Sequence, residues 1–280
     1  MSLKRAIISG SHGFIGSALK LELENYGYET YDPNYDTNLP KTANVYYHFK
    51  WFVKSETTNT AKQIESIDIA INAIEQAHKM GCDKFIYASS IMEHEVWRLY
   101  HTDFTKLRAV DVYAAAKFCA AVFCRVRAEA LGITFIPMTI TNIYGAGEKA
   151  ARFINSTLRK IKERSKEPLT FSAGTQNYDF VYVTDAAKAF AALADRGAAG
   201  RNYLLGSGNA RKLREFIDEM LLEFSQELDG SPQPIFGAYP TTIADLDLEL
   251  FDISDLQADT GYHPQIGWRE GLRRTYESLS

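Results

Sequence analysis

Residues Arg5–Gly16 read RAIISGSHGFIG, an apolar strand that runs directly into three glycines at three-residue spacing. Gly10 permits a tight turn out of the strand, and Gly13 lets the backbone approach an anion with no side chain in the way. Gly16 lets the following helix pack close to the sheet, and the first N–H groups of that helix face the anion. The stretch therefore predicts a Rossmann-type α/β fold with a site for a dinucleotide pyrophosphate.

The composition is ordinary for a globular protein: of 280 residues, 46% are hydrophobic and 24% are charged. The formal net charge is −4 and basic residues form no long run, so DNA and RNA are not expected as partners. We predict no signal peptide and no membrane partner, because no apolar run reaches the ~20 residues that a spanning helix needs. Cys82, Cys119 and Cys124 lack metal-site spacing and predict reduced thiols in a cytoplasmic protein.

Apolar strands alternate with helical segments, which predicts a doubly wound parallel sheet that binds ligands at the carboxyl ends of its strands. The predicted strands are Arg5–Ser9, Glu29–Asp32, Val45–Phe49, Lys84–Ser89 and Thr134–Thr139. The predicted helices are Phe14–Tyr26, Ala61–Met80, Val112–Leu131, Ala150–Glu163, Asp185–Asp195, Lys212–Gln226 and Trp268–Leu279. We assign 1–145, with returning segments near 178–205, to a dinucleotide-binding domain. Residues 146–280 mainly form a smaller C-terminal substrate-binding lobe within one structural unit.

Tyr113 and Lys117 are four residues apart in an alanine-rich segment, and on a helix this spacing stacks both side chains on one face. A nearby ammonium stabilises a phenolate and lowers the tyrosine pKa from its usual value of about 10. Such a phenol can exchange a proton with a substrate hydroxyl near neutral pH. Tyr46 and Lys50 have the same spacing but lie in a predicted strand, so we predict Tyr113 as the acid/base.

A hydroxyl at a strand end completes the candidate catalytic group. Residues Phe85–Ser90 read FIYASS and run into a loop ahead of Tyr113. Ser90 is placed to hydrogen-bond the same substrate oxygen, with Ser89 in support. The alternative for each serine is an ordinary turn or cap role.

With these motifs in this order, the chain resembles the extended short-chain dehydrogenase/reductases, in the branch of NAD-dependent nucleotide-sugar epimerases and dehydratases. The resemblance covers almost the whole length. The matching pieces are the glycines of Gly10–Gly16, His48, Ser90, Tyr113-x-x-x-Lys117, Asn142–Gly145, Tyr178–Asp185, Asn202–Gly208 and Asp259–Pro264. The resemblance implies a nicotinamide dinucleotide on the sheet and a nucleotide sugar in the C-terminal lobe. It also implies hydride transfer at a sugar carbon, with Tyr113 as acid/base and Lys117 on the nicotinamide ribose.

The binding residues follow from the same resemblance. We expect the cofactor to contact Gly10, His12, Gly13, Phe14, Ile15, Gly16, Asp32, His48, Phe49, Lys50, Ala88, Tyr113, Lys117, Thr141 and Ile143. We expect the substrate to contact Ser90, Met92, Asn142, Tyr144, Arg152 and Tyr178. An acid after the second strand accepts a ribose 2′-hydroxyl and repels the 2′-phosphate of NADP, so Asp32 favours NAD, with Asp36 as the alternative.

The loop after Ser90 departs from the pattern of the 4,6-dehydratases. Those enzymes carry an Asp-Glu pair directly after the catalytic hydroxyl, whereas Ile91 and Met92 follow it here. We interpret Glu93, one place further on, as a solvated loop carboxylate. The sequence therefore favours an epimerase or a ketoreductase over a dehydratase.

Two further departures concern the ligands. Tyr178 stands where relatives have a phosphate-binding arginine, and no second arginine occurs near Ile235–Thr241. Any correctly placed cation can neutralise a diphosphate, so the candidate replacements are Lys149, Arg152 and Arg211. The alternative for each of them is an ordinary surface charge. His48 is followed by Phe49-Lys50-Trp51 rather than by small residues. Trp51 either stacks on a ring or fills the core.

The sequence thus predicts an NAD-dependent nucleotide-sugar epimerase that acts by hydride transfer at C4 of the sugar. A 4-ketoreductase is the first alternative, and a non-catalytic NAD-binding sensor or scaffold of the same fold is the second. The Tyr113 helix and the segment Glu93–Ala109 predict a homodimer through a helix bundle. Phe118, Val122 and Phe123 fit such a surface, although an ordinary core face explains them equally well.

Overall fold

The structure, a computed structural model, describes residues 4–241 and 245–279. The chain divides into two compact units. The sheet unit runs to Ile140 and includes Ala186–Leu205 and Ser254–Tyr262. The second unit contains Thr141–Asp185, Gly206–Ile253 and the residues from His263 onward. The sequence predicts a boundary after residue 145, whereas the observed division follows Ile140.

The strands account for every strand that the sequence predicts and add several short ones. In chain order they are β1 (Lys4–Ser9), β2 (Tyr28–Tyr31), β3 (Val45–His48), β4 (Lys84–Ser90), β5 (Thr134–Ile140), β6 (Asn142–Tyr144), β7 (Thr170–Phe171), β8 (Asn177–Tyr178), β9 (Phe180–Tyr182), β10 (Tyr203–Leu205), β11 (Arg211–Lys212) and β12 (Ile235–Phe236). The predicted strands are β1–β5. Strands of two or three residues, such as β6–β12, are too short to carry a periodic apolar pattern.

The helices likewise include all those predicted from the sequence. In chain order they are α1 (Phe14–Asn25), α2 (Thr60–Lys79), α3 (Glu93–Thr102), α4 (Asp111–Leu131), α5 (Phe153–Lys162), α6 (Val183–Arg196), α7 (Leu213–Glu223), α8 (Ser254–Thr260) and α9 (Trp268–Ser278). The helices α3 and α8 are additional. Within the described ranges, none of the helices combines the length and apolar character needed to cross a membrane.

The sheet unit is built on a six-stranded sheet in the order β2-β1-β3-β4-β5-β10. Every neighbouring pair in it is parallel, which confirms the predicted Rossmann-type sheet. The chain order reverses between β1 and β3. At such a reversal the connections leave in opposite directions and open a crevice at the carboxyl ends of the strands. The glycine stretch follows β1 at this point.

Helices cover both faces of the sheet because successive strand residues point to opposite sides. On β3, Tyr46 packs into a core cluster with Ala73 of α2 and Ala120 of α4. Its neighbour Tyr47 faces the other way, and its hydroxyl donates to the carbonyl of Phe190 in α6. The sheet is therefore doubly wound, as the sequence predicts.

Helix α4, which carries the candidate acid/base, is fixed by its small residues and its C-terminal cap. Ala116 and Ala120 are buried in the core cluster, where small side chains let the helix lie close to the sheet. Gly132 caps the helix with a φ of 71°, in the left-handed region where a side chain would be strained. The predicted end of this helix at Gly132 is confirmed.

The second unit consists of two-stranded pairs and helices. The pairs are β6 with β9, β8 with β11 and β7 with β12. Its aromatic core brings together Phe180, Phe216 and Trp268, whose rings lie 4.8 to 5.1 Å apart between centroids. Tyr144 joins them, with its ring 5.0 Å from that of Trp268.

Candidate functional site

The glycine stretch has the geometry of a backbone cradle. Gly10 turns out of β1 with a φ of 96°, which favours glycine. Gly13 is the N-cap of α1 and provides no capping side chain, so the first-turn N–H groups remain available. A Cβ on Gly16 would lie 2.2 Å from the carbonyl oxygen of Gly10, so only glycine permits this approach of helix to turn.

This cradle fits the pyrophosphate of a dinucleotide. The N-terminus of α1 carries uncapped N–H groups at Phe14 and Ile15, and its first turn contains no acidic residue to repel an anion. His12 is 61% exposed beside the turn, and its ring lies against that of Tyr35, with centroids 3.9 Å apart and planes tilted at 42°. The chain can therefore hold the pyrophosphate through backbone N–H groups, and the exposed rings of His12 and Tyr35 lie next to them.

Asp32 follows β2 and organises the turn. One of its carboxylate oxygens accepts from the N–H groups of Gly10 and Ser11 at 3.2 and 2.8 Å, and the other accepts from Asn34. Burial by itself would raise the pKa of Asp32, but the hydrogen bonds from Asn34 and Ser11 outweigh it and lower the pKa. A fixed negative charge therefore stands beside the cradle. Its binding to a ribose hydroxyl remains a prediction.

The end of β3 lies directly against the turn. A Cβ on Gly10 would be 3.1 to 3.2 Å from atoms of Phe49 and Lys50. His48 is fully buried, with its ring between those of Phe85 and Tyr87. Burial lowers the pKa of His48 to about 3, so the imidazole is neutral. Both ring nitrogens are buried without a hydrogen-bond partner among the residues that the structure describes, and a contact of His48 with the cofactor stays a prediction.

Ser90 lies at the end of β4 in a hydrogen-bonded turn. Its hydroxyl oxygen accepts from the N–H of Met92 at 3.3 Å, and its own N–H donates to Glu93 at 3.1 Å. These two bonds close the turn that leads from β4 into α3. Because the Ser90 oxygen acts as an acceptor in the bond from Met92, its hydrogen is available to a ligand.

The interpretation of Glu93 as a solvated loop carboxylate is wrong. Glu93 is the first residue of α3, half-buried, and it accepts hydrogen bonds from the Ser89 hydroxyl and the Ser90 N–H. Burial raises the pKa of Glu93, although these hydrogen bonds and the charge of Lys117 act to lower it. The Ser-x-x-Glu spacing lets the carboxylate reach back to the N–H of Ser90.

Tyr113 and Lys117 occupy one side of α4, as their spacing predicts. Tyr113 is half-buried, whereas Lys117 is buried and its ammonium donates to the carbonyl of Ala88 on β4 at 2.8 Å. Burial lowers the pKa of Lys117 to about 7, and the charge of Glu93 opposes the shift. The lysine thus ties the helix to the strand that carries Ser90.

The remaining predicted site residues belong to the second unit. In β6, the Asn142 amide donates to the carbonyl of Asp179, and Thr141 and Ile143 are buried beside it. Tyr144 is only 3% exposed, and its hydroxyl donates to the carbonyl of Trp268. The structure therefore packs Tyr144 into the aromatic core, which spacing could not show, and its contact with a substrate stays a prediction.

Arg152 and Tyr178 remain candidates for substrate contact in that unit. Arg152 caps α5, is 60% exposed and pairs with Glu148 at 3.0 Å. Burial raises the pKa of Tyr178 to about 12, and the charge of Arg152 opposes this shift. On the neighbouring strand Arg211 lies directly opposite Tyr178 and pairs with Glu219 at 3.0 Å. Two guanidinium groups therefore lie near Tyr178.

Comparisons with known proteins bear on the whole chain. The sequence profile of the NAD dependent epimerase/dehydratase family matches residues 53–206. A curated relative, the UDP-N-acetyl-alpha-D-glucosaminuronate decarboxylase of Bacillus cytotoxicus, is 24% identical over an alignment that covers 98% of this chain and 97% of the relative.

Solved structures share the fold. RMD from Pseudomonas aeruginosa, complexed with NADPH, matches with a TM-score of 0.77 and 20% identity over 98% of each chain. The UDP-N-acetylglucosamine 4-epimerase from Bacillus cereus matches with a TM-score of 0.76 and 16% identity over 99% of this chain and 98% of its own. The family profile covers more than half of the chain and includes Ser90, Tyr113 and Lys117. This protein belongs to the NAD-dependent epimerase/dehydratase family.

Proposed function

We propose that this chain is a nucleotide-sugar epimerase that moves a hydride between C4 of the sugar and the nicotinamide of NAD. The observation that carries the proposal is the pair Tyr113 and Lys117 on α4, tied by the lysine to the strand that ends in Ser90. The similarity to a UDP-sugar decarboxylase and a UDP-sugar epimerase supports the substrate class.

Each side chain has a role in this reaction. Tyr113 takes the proton of the C4 hydroxyl as the carbon loses its hydride, and it returns the proton when the hydride comes back to the other face of the sugar. The Lys117 ammonium stabilises the phenolate between these steps. The Ser90 hydroxyl, whose hydrogen is available, donates to the C4 oxygen and orients it. Bound NAD supplies the hydride acceptor and donor.

Asp32 supports NAD over NADP as the cofactor. Its low pKa keeps the carboxylate ionised at neutral pH, next to the N–H groups of Gly10 and Ser11. A 2′-phosphate brought to this point would meet a fixed charge of the same sign. The ribose of NAD carries no such group and can approach.

The loop after β4 argues against the dehydratase reaction. An elimination of water needs a free acid and a free base next to the catalytic hydroxyl. Here Ile91 and Met92 are apolar, and the Glu93 carboxylate is held by Ser89 and Ser90. The carboxylate is engaged in the turn between β4 and α3, which supports a reaction without elimination.

For the diphosphate of the substrate, we propose Arg152 as the cation that replaces the missing arginine. It is exposed, and its charge acts on Tyr178, the residue at the family's arginine position. Arg211 is the second candidate, since it lies opposite Tyr178 in the β8–β11 pair. A guanidinium at either position can donate two hydrogen bonds to phosphate oxygens.

We also propose the homodimer. An exposed aromatic surface runs along α3, the turn after it and α4, with Trp97, Tyr100, Phe104 and Phe123 each more than half exposed. Val122 is also exposed, which argues against the core-face alternative at this position. Burying such a patch against a second copy removes apolar area from water. Light scattering of the purified protein is expected to give twice the mass of one chain, and a monomer would contradict the proposal.

The function is tested by incubating the purified protein with NAD and a panel of UDP-, dTDP-, GDP- and CDP-sugars and identifying the products by NMR. We expect one sugar to equilibrate with its C4 epimer without net consumption of cofactor. Stoichiometric consumption of reduced cofactor would instead identify a 4-ketoreductase. Tight NAD binding with every sugar unchanged would contradict catalysis and favour the sensor alternative.

A further inference from the structure

Trp51 lies just beyond β3, three residues after His48. Its side chain is 9% exposed and belongs to the core cluster. The indole N–H donates to the amide oxygen of Gln63 at 2.7 Å. Gln63 is itself fully buried in α2, and its amide donates to the carbonyls of Phe52 and Glu56. The indole is therefore fixed along one edge by a buried hydrogen-bond network.

The other parts of this ring contact both members of the candidate catalytic pair. The Lys117 ammonium lies 3.9 Å from the centroid of the Trp51 ring. The ring of Tyr113 meets it edge to face, with centroids 6.4 Å apart and planes at 87°. One rigid side chain thus touches the two residues whose relative placement decides the proton transfer.

A tryptophan face is suited to hold a buried ammonium. Its π-electrons attract the positive charge, and the attraction is strongest where water is excluded. An aliphatic residue of similar size would bury Lys117 equally well but would offer no such attraction. The lysine also donates to the carbonyl of Ala88 and lies 5.0 Å from the Tyr87 ring, so several groups favour its charged form.

We propose that Trp51 is a positioning residue, which holds Lys117 as an ammonium next to Tyr113 through the face of its indole ring. The inference rests on the proposed role of the pair in catalysis. It adds the residue that keeps the lysine charged and in place within a buried site.

The ionisable groups that act on Lys117 are few, which makes the effect measurable. Glu93 contributes the negative charge. His48 is neutral, because burial lowers its pKa to about 3, and Cys124 is neutral, because burial raises its pKa to about 12. Tyr87, on β4, is protonated because burial raises its pKa far above the ordinary value. At neutral pH, Trp51 and Glu93 therefore act on Lys117 together.

The test is a titration of Lys117 in the full chain without substrate. Protein grown with lysine carrying ¹³C at Cε is titrated by NMR, and the Lys117 signal is assigned with Lys117→Arg. In Trp51→Leu we expect the pKa of Lys117 to fall by about one unit, since a desolvated cation–π contact is worth about that much. Trp51→Phe keeps an aromatic face and is expected to give a smaller fall.

A second series keeps the shape of the core. Replacing tryptophan biosynthetically by mono- and difluorinated analogues weakens the π-face in steps while leaving the ring in place. The pKa of Lys117 is expected to fall in the same steps. This series decides the question even where Trp51→Leu does not fold.

The matched control is Phe52→Leu, which removes the neighbouring ring. That ring holds Lys62 at 4.7 Å, so the pKa of Lys117 is expected to remain unchanged. A Lys117 pKa that stays constant through the fluorinated series overturns the inference and leaves the proposed function intact. Full turnover in Tyr113→Phe would instead contradict the proposed function, and it would leave the measured effect of Trp51 on the Lys117 pKa unchanged.

Discussion

The segments Tyr46–Lys50 and Tyr113–Lys117 carry a tyrosine and a lysine at the same spacing, yet the fold gives them opposite environments. Tyr46 lies in β3, 1% exposed, with its hydroxyl on Gln76 at 3.0 Å and its pKa raised by burial. Lys50 falls beyond the end of that strand. Tyr113 instead keeps part of its surface accessible on α4, one turn from Lys117. Spacing therefore acquires chemical meaning only through the secondary structure that carries it.

The largest expected difference between the two segments is in turnover. Tyr113→Phe removes the proton carrier and is expected to lower kcat roughly 10²- to 10⁴-fold, the usual contribution of a general acid/base. Tyr46→Phe removes only a structural hydrogen bond and is expected to leave kcat near the wild-type value. Steady-state rates on the sugar identified by product analysis measure both.

In stability the order is reversed: Tyr46→Phe is expected to lose more free energy of unfolding than Tyr113→Phe. Tyr46→Phe breaks a hydrogen bond between buried groups, which costs about 1 kcal/mol in free energy of unfolding. Tyr113→Phe is expected to cost less, because its side chain is only half-buried. Equal losses of turnover in the two variants would remove the distinction between the segments.

A smaller difference is expected in the pH dependence of stability. The pKa of Lys117 is about 7 in the folded chain, below the value of about 10.4 for an unfolded lysine. Between these values the unfolded chain holds a proton that the folded chain has released. The contribution of Lys117 to the free energy of unfolding therefore rises with pH, by at most about 1.4 kcal/mol per pH unit.

Urea unfolding at pH 7, 8 and 9 measures this slope. Lys117→Met is expected to flatten it relative to the wild type, because the variant has no buried amine to deprotonate. Lys50→Met, the matched change in the other segment, is expected to keep the wild-type slope. A wild-type slope in Lys117→Met would show that the buried lysine does not titrate in this range.

Much of the sheet unit could be predicted from the sequence because local signals decide it. The apolar run before Gly10 predicts β1, and the alanine-rich stretch that ends at Gly132 predicts α4. The parallel order follows from the alternation of strands and helices. The pair Tyr113 and Lys117 was predicted for the same reason, since its geometry depends on one helix alone.

The contacts between distant segments could not be predicted in this way. Trp51 meets Lys117 only because the end of β3 and the middle of α4 pack on the same side of β4. Its place after a strand predicts Tyr144 as a site residue, but its ring packs against Trp268 in the aromatic core of the second unit. Glu93 is half-buried because it accepts hydrogen bonds from Ser89 and Ser90, and these contacts depend on how the chain turns after β4.

The most direct test of the central claim follows the reduced-nicotinamide absorbance band of the NAD-loaded protein after rapid mixing with the nucleotide sugar that it converts. We expect a transient rise in the wild type and in Tyr46→Phe. We expect no rise on the wild-type timescale in Tyr113→Phe, although this variant still binds NAD. A rise of wild-type rate and amplitude in Tyr113→Phe would contradict the assignment of Tyr113 as the acid/base.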